Sequence, residues 1–108
     1  MEEVCLKVED KKMCYLCYIK YEKLILLDTL FTPQEFRGNG YARKLLDDFI
    51  TKETLPIFLV VRIGTFVGGF YQRMGFKRIA TFGHYDLMAK SDKTDKSDDE
   101  LLKIWLNH

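Results

Sequence analysis

A chain of 108 residues with 47% hydrophobic and 31% charged side chains has material for one modest core, in proportions ordinary for a globular domain. Seventeen basic against 16 acidic side chains leave a formal charge of +1, so no nucleic-acid or membrane partner is expected from bulk charge. No apolar run has the length that spans a bilayer, and the opening "MEEVCLKVEDKK" lacks the basic-then-apolar order of a secretion signal; the cytoplasm is the expected compartment, with the nucleus not excluded.

"EEVCLKVE" and "KMCYLCYIKY" are two β-type runs split by a polar "DKK", which predicts a hairpin. Cys5, Cys14 and Cys17 are an odd number and fit a disulfide framework poorly. In "CYLC" the offset of three points Cys14 and Cys17 to opposite faces of a strand, and neither His84 nor His108 stands at zinc-site spacing. Structural thiols are therefore expected, and no metal. "KLILLDTLFT" reads as a central strand closed by Pro33. From Tyr41 the period changes: Leu45, Leu46, Phe49 and Ile50 share one helical face, Arg43, Lys44, Asp47, Asp48 and Thr51 the other, and the helix ends before Pro56.

"IFLVVRI" is a continuous apolar run, as expected for a strand covered on both faces and parallel to the third, which makes one βαβ unit. A shorter helix is predicted from Thr65 to Met74, offering Phe66, Val67, Phe70, Tyr71 and Met74 for burial, with Gly75 as a left-handed cap. Gly68 and Gly69 each cost on the order of 1 kcal/mol against alanine in a helix interior. They suggest a close approach to the backbone there. "FKRIATF" and "YDLMAK" around Gly83 and His84 form a second hairpin.

The remainder divides the chain into a domain at 1–90, a charge-mixed linker at 91–97 and an amphipathic tail helix at 98–108 opened by a Ser97–Glu100 capping box. Leu101, Leu102, Trp105 and Leu106 of that helix have three possible docks: their own domain, a second protomer, or a partner. The fold class is α/β (α+β): a mixed, mostly antiparallel sheet with flanking helices and the short tail helix.

"FRGNGYARKLL" carries the chemistry. The first turn of a helix has backbone N–H groups without intrahelical partners, and glycines let a phosphate approach them closely. Arg37, Arg43 and Lys44 add positive charge around Gly38 and Gly40. From these residues alone, a phosphate cradle and a plain helix start both stand. A Walker A loop is excluded because the Gly-Lys-Ser/Thr ending is missing, and the third glycine and ribose acid of a Rossmann fingerprint do not fit.

"RGNGYA" resembles the Arg/Gln-x-x-Gly-x-Gly/Ala segment of the GNAT superfamily, the acyl-CoA-dependent N-acyltransferases, and "FYQRMGFKR" resembles its Phe-Tyr-x-x-x-Gly-Phe signature. The two stand in the family's order, separated by a helix and a strand, and element order extends the resemblance over residues 3 to 90. It implies direct transfer of an acetyl group from acetyl-CoA, as co-substrate, to a primary amine on a small molecule or a protein. The amides of Gly38, Asn39, Gly40, Tyr41 and Ala42 would hold the CoA diphosphate, with Arg37 and Arg43 or Lys44 beside it. Leu30, Phe31 and Thr32 would pair with the pantetheine arm. Tyr71 matches the tyrosine that protonates the departing sulfur, and Asp28 stands where many relatives carry a basic glutamate, with Glu35 and His84 as secondary bases.

Asp28 shares a strand face with Leu30 and Thr32 by simple alternation, and inside so apolar a run it is either functional or satisfied by a neighbour. Two departures from the family pattern stand out. Gly64 replaces an asparagine common seven residues before the tyrosine, and the strand and two helices that usually wall the acceptor side do not precede the first hairpin. A non-catalytic CoA-binding or partner-binding module is the alternative, a nucleotide-phosphate binder the outsider, and a homodimer is possible.

Overall fold

A computed structural model describes residues 2–8, 11–90 and 95–108, with residues 4–8 and 11–13 described by their backbone alone. The tip of the first hairpin, the Cys5 side chain and linker residues 91–94 lie outside that description. β1 (Glu2–Val8), β2 (Lys11–Lys20) and β3 (Ile25–Phe31) pair in sequence order as an antiparallel meander. Cys14 and Leu16 turn from β2 into the core, while Cys17 takes the other face, so the two thiols are kept apart.

α1 (Tyr41–Lys52) lays Leu45, Leu46 and Phe49 on the same core, against Ile25 and Leu27 of β3. β4 (Ile57–Arg62) then runs parallel to β3, and β5 (Lys77–Phe82) and β6 (Tyr85–Lys90) close the sheet in the order β1-β2-β3-β4-β6-β5. Every neighbouring pair except β3–β4 is antiparallel, giving the mixed sheet expected from the sequence. Double-sided burial of β4 holds only for its first half. Ile57, Phe58 and Leu59 are buried in succession, whereas Val60 and Arg62 are exposed.

α2 (Phe66–Arg73) is ended by Gly75 at φ 96°, and paired bonds from Gly75 N–H to Gln72 C=O and from Phe76 N–H to Tyr71 C=O, each 3.0 Å, satisfy its last carbonyls. Its first turn overturns two expectations. Phe66 is 98% exposed and Val67 49%, because that turn overhangs a cleft rather than the sheet. Nor does anything crowd the helix glycines: a Cβ on Gly68 would meet only Val61 at 3.8 Å, and one on Gly69 only the Arg73 guanidinium at 3.5 Å.

α3 (Asp98–Leu106) lies on the opposite face of the sheet, where Leu101 is fully buried with Leu24, Phe58, Leu87 and Ala89, and Trp105 stacks on Phe58 at 5.6 Å between centroids. Its capping box is formed: Glu100 N–H donates to Ser97 Oγ and Ser97 N–H to the Glu100 carboxylate, both at 3.2 Å. Those bonds hold the Glu100 carboxyl below its usual range, so the box is intact at neutral pH and is lost as pH falls through that lowered value. Replacing Ser97 by alanine is expected to lower stability by about 1 kcal/mol in urea titrations.

Candidate active site

β3 and β4 pair only at Ile25–Ile57 and Leu26–Phe58. Beyond those two positions they splay, leaving main-chain donors and acceptors of both strands unpaired along the gap. A β-bulge drives the divergence. Cys17 pairs with Thr29 and Tyr18 with Leu27, so Asp28 is an extra residue in β3 with no opposite number in β2. A cleft of about 330 Å³ opens between the strands, lined by residues 27–30 and 59–62 and closed at one end by Thr65, Val67 and Tyr71 of α2 and its approach.

The bulge corrects the reading of Asp28. Leu27 and Leu30 both pack with the α1 side, and Thr32 Oγ1 donates to buried Cys14 Sγ at 3.3 Å on that side. Thr29 instead opposes Cys17 on the other face, and its hydroxyl donates to Asp28 at 2.9 Å. Asp28 therefore leans to Thr29's face, away from Leu30 and Thr32, and it is exposed, so it bears no burial cost. Phe31 follows onto the same outer face, against the Tyr15 ring at 5.4 Å.

At the far end of β3 the chain turns through a short 3-10 helix (Gln34–Phe36) into the glycine loop. Gly38 and Gly40 both adopt positive φ, 83° and 77°, where a side chain would be strained, and no atom would obstruct a Cβ at either. Their role is thus the loop's path rather than room for a neighbour. Gly40 is the N-cap of α1 and has no side chain to cap it, and the first helical bond runs from Lys44 N–H to Gly40 C=O at 3.0 Å. The amides of Tyr41, Ala42 and Arg43 consequently have no intrahelical acceptor and face a shallow pocket of about 190 Å³ shared with Thr32, Phe36 and Phe70.

Arg37 braces this loop from within: its Nε donates to Thr32 C=O at 3.0 Å and its guanidinium sits over the Phe31 ring. Asn39 does the same through its amide, donated to Phe36 C=O at 3.0 Å. Lys44 pairs with Asp48 at 3.6 Å, which leaves Arg43 the more available cation at the helix start.

Tyr71 is 7% exposed, its ring wedged against Phe70 and Phe76. Its hydroxyl has no hydrogen-bond partner among the described residues, and no occluded polar side-chain atom there lacks one, so that oxygen is not sealed in the core. Burial pushes its pKa up to about 12. Because the fold disfavours the phenolate, stability does not depend on this group's ionisation below the unfolded value near 10 and falls by about 3 kcal/mol as pH rises from there through about 12. Alkaline titration monitored by phenolate absorbance should show a tyrosine ionising near pH 12 that is absent in Tyr71→Phe. Glu35 sits on the 3-10 turn and His84 in the β5–β6 turn; both are exposed and neither lines the cleft.

Residues 4–83 match the family model for the acetyltransferase (GNAT) domain. The chain belongs to the GNAT acetyltransferase family. Solved structures share its fold. An N-acetyltransferase from Staphylococcus aureus Mu50 superposes with a TM-score of 0.71 at 15% identity, over 82% of this chain and 69% of that one. The PaiA N-acetyltransferase from Thermoplasma acidophilum, in complex with coenzyme A, gives 0.72 at 20% identity over 82% and 59%. The N-acetyltransferase YlbP from Bacillus subtilis, also in complex with coenzyme A, gives 0.68 at 16% over 87% and 70%. At these identities the likeness shows the fold alone. No curated protein matches the chain.

The two pockets lie at successive stretches of β3: Leu27 to Leu30 line the strand gap with Tyr71, and Thr32 lines the pocket at the α1 start with Phe70. The sequence reading missed Arg62, Val60 and Val67, all of which line the cleft. Arg62 had left a signal, the single charge that interrupts "IFLVVRI". Among the described residues no group of histidine, cysteine, aspartate and glutamate could hold a metal, and no helix is long and apolar enough to cross a membrane.

Proposed function

We propose that this GNAT domain transfers an acetyl group from acetyl-CoA to a primary amine by direct attack in a ternary complex. The carrying observation is the cleft between β3 and β4, which opens at the Asp28 bulge and is lined at one end by Tyr71. In this reading the diphosphate rests on the amides of residues 38–42 with Arg43 nearby, and the pantetheine arm pairs with the free edge of Leu30–Thr32. Arg37 shapes the loop, being already bonded to Thr32.

The amine attacks the thioester carbonyl: a C–N bond forms, the C–S bond breaks, and unpaired strand N–H groups along the gap steady the oxyanion. Asp28 receives the proton lost by the amine. Tyr71 donates to the leaving sulfur. A phenol pushed up to about 12 would surrender its proton to a less basic alkyl thiolate only at a cost, about 1.4 kcal/mol for each pKa unit between them. The same apolar slot raises the thiol as well, since desolvation disfavours every anion within it, and that brings the two together. Tyr71 then recovers a proton through the open cleft.

Gly64 at the position of the family asparagine favours the alternative, a CoA-binding module without transfer. The test is thermal stabilisation by acetyl-CoA and CoA against ATP, followed by thiol release with a panel of amines and peptides. Stabilisation with thiol release supports the enzyme; stabilisation alone supports the module; preference for ATP rejects both.

A further inference from the structure

The cleft's charges select among amine acceptors, and this inference rests on the transferase reading above. Among the described residues lining it only two are charged, Asp28 and Arg62, one on each splayed strand. They share a face. Arg62 alternates with core residue Val61 and so lies with Phe58 and Val60 on the side opposite α1, and Asp28 leans to that side with Thr29. They are not spent on each other, since neither forms an ion pair among the described residues. Asp28 lies two residues past the Leu26–Phe58 pair and Arg62 four, so along the diverging strands Arg62 stands further from the paired end than Asp28.

We infer that the acceptor is a zwitterion of the α-amino acid type, whose amine is held by Asp28 beside the thioester and whose carboxylate is taken by Arg62. A guanidinium matches a carboxylate in two parallel hydrogen bonds, and its long stem spans the offset between the two strands. A polyamine or a basic peptide would meet one acid and a repelling cation. Val60 and Val67, each about half exposed at 46% and 49%, give the rim an apolar character suited to a hydrophobic side chain.

The test compares L-leucine, L-methionine and L-phenylalanine with their carboxamides, in thiol release and in calorimetric binding to the CoA-loaded protein, for the native chain and Arg62→Gln. The free acids are expected to surpass the amides at least tenfold in kcat/KM. Arg62→Gln should abolish that preference by raising KM for the acids, with KM for acetyl-CoA unchanged. Equal use of acid and amide, equal loss for both in Arg62→Gln, or no calorimetric binding of any acid would overturn the inference. A preference for acids in binding without thiol release would sustain it while sinking the transfer reaction.

Discussion

Tyr71→Phe is expected to keep the affinity for acetyl-CoA and to lower kcat by roughly a hundredfold, the low end of what a positioned proton donor supplies. The structure separates this from a packing effect. The ring alone fills the site between Phe70 and Phe76, and the hydroxyl bonds to nothing in the described fold, so its removal leaves no buried group unsatisfied. Melting temperature at neutral pH should hold or rise slightly. A core aromatic without a chemical role would show unchanged kcat in the same steady-state assay. Because burial keeps the phenol protonated to about pH 12, kcat should show no alkaline decline from this group below pH 11.

Leu101→Ala should lower stability by about 3 kcal/mol, and so weaken the hold of α3 on the sheet. Leu101 is fully buried among Leu24, Phe58, Leu87 and Ala89, all four below 2% exposure, and Phe58 and Ala89 belong to the neighbouring strands β4 and β6. The cavity would therefore lie where the sheet is held in register below the splay. Chemical denaturation measures the loss directly. A change under 1 kcal/mol would mean that α3 covers the sheet without supporting it.

Most of the fold was legible because period is a local property. Alternation through "MCYLCYI" and the 3.6-residue recurrence of Leu45, Leu46, Phe49 and Ile50 each needed only a few neighbours to be read, and the Gly75 cap and the Ser97 box were equally local. The bulge was not. Nothing within "LILLDTLF" says that Asp28 is the supernumerary residue, since that depends on which residue of β2 stands opposite, and one position of slip moves a side chain to the other face. The error over Asp28's face follows directly.

The apolar first turn of α2 misled for a related reason. Periodicity marks Phe66 and Val67 as a buried face, but whether sheet lies beneath them depends on how far β3 has parted from β4. The glycine loop was readable as an anion cradle from residue types, whereas the internal use of Arg37 on Thr32 needed coordinates. Arg62, bland in sequence as the end of a strand, gained meaning only once the strand gap placed it in the same cleft as Asp28.

The most direct measurement is a crystal structure of the chain with CoA bound. The pyrophosphate should lie on the amides of residues 38–42, the pantetheine in the gap beyond Leu26 and Phe58, and the sulfur within hydrogen-bonding reach of the Tyr71 hydroxyl. CoA bound away from the α1 start, or a sulfur remote from that phenol, would contradict the account.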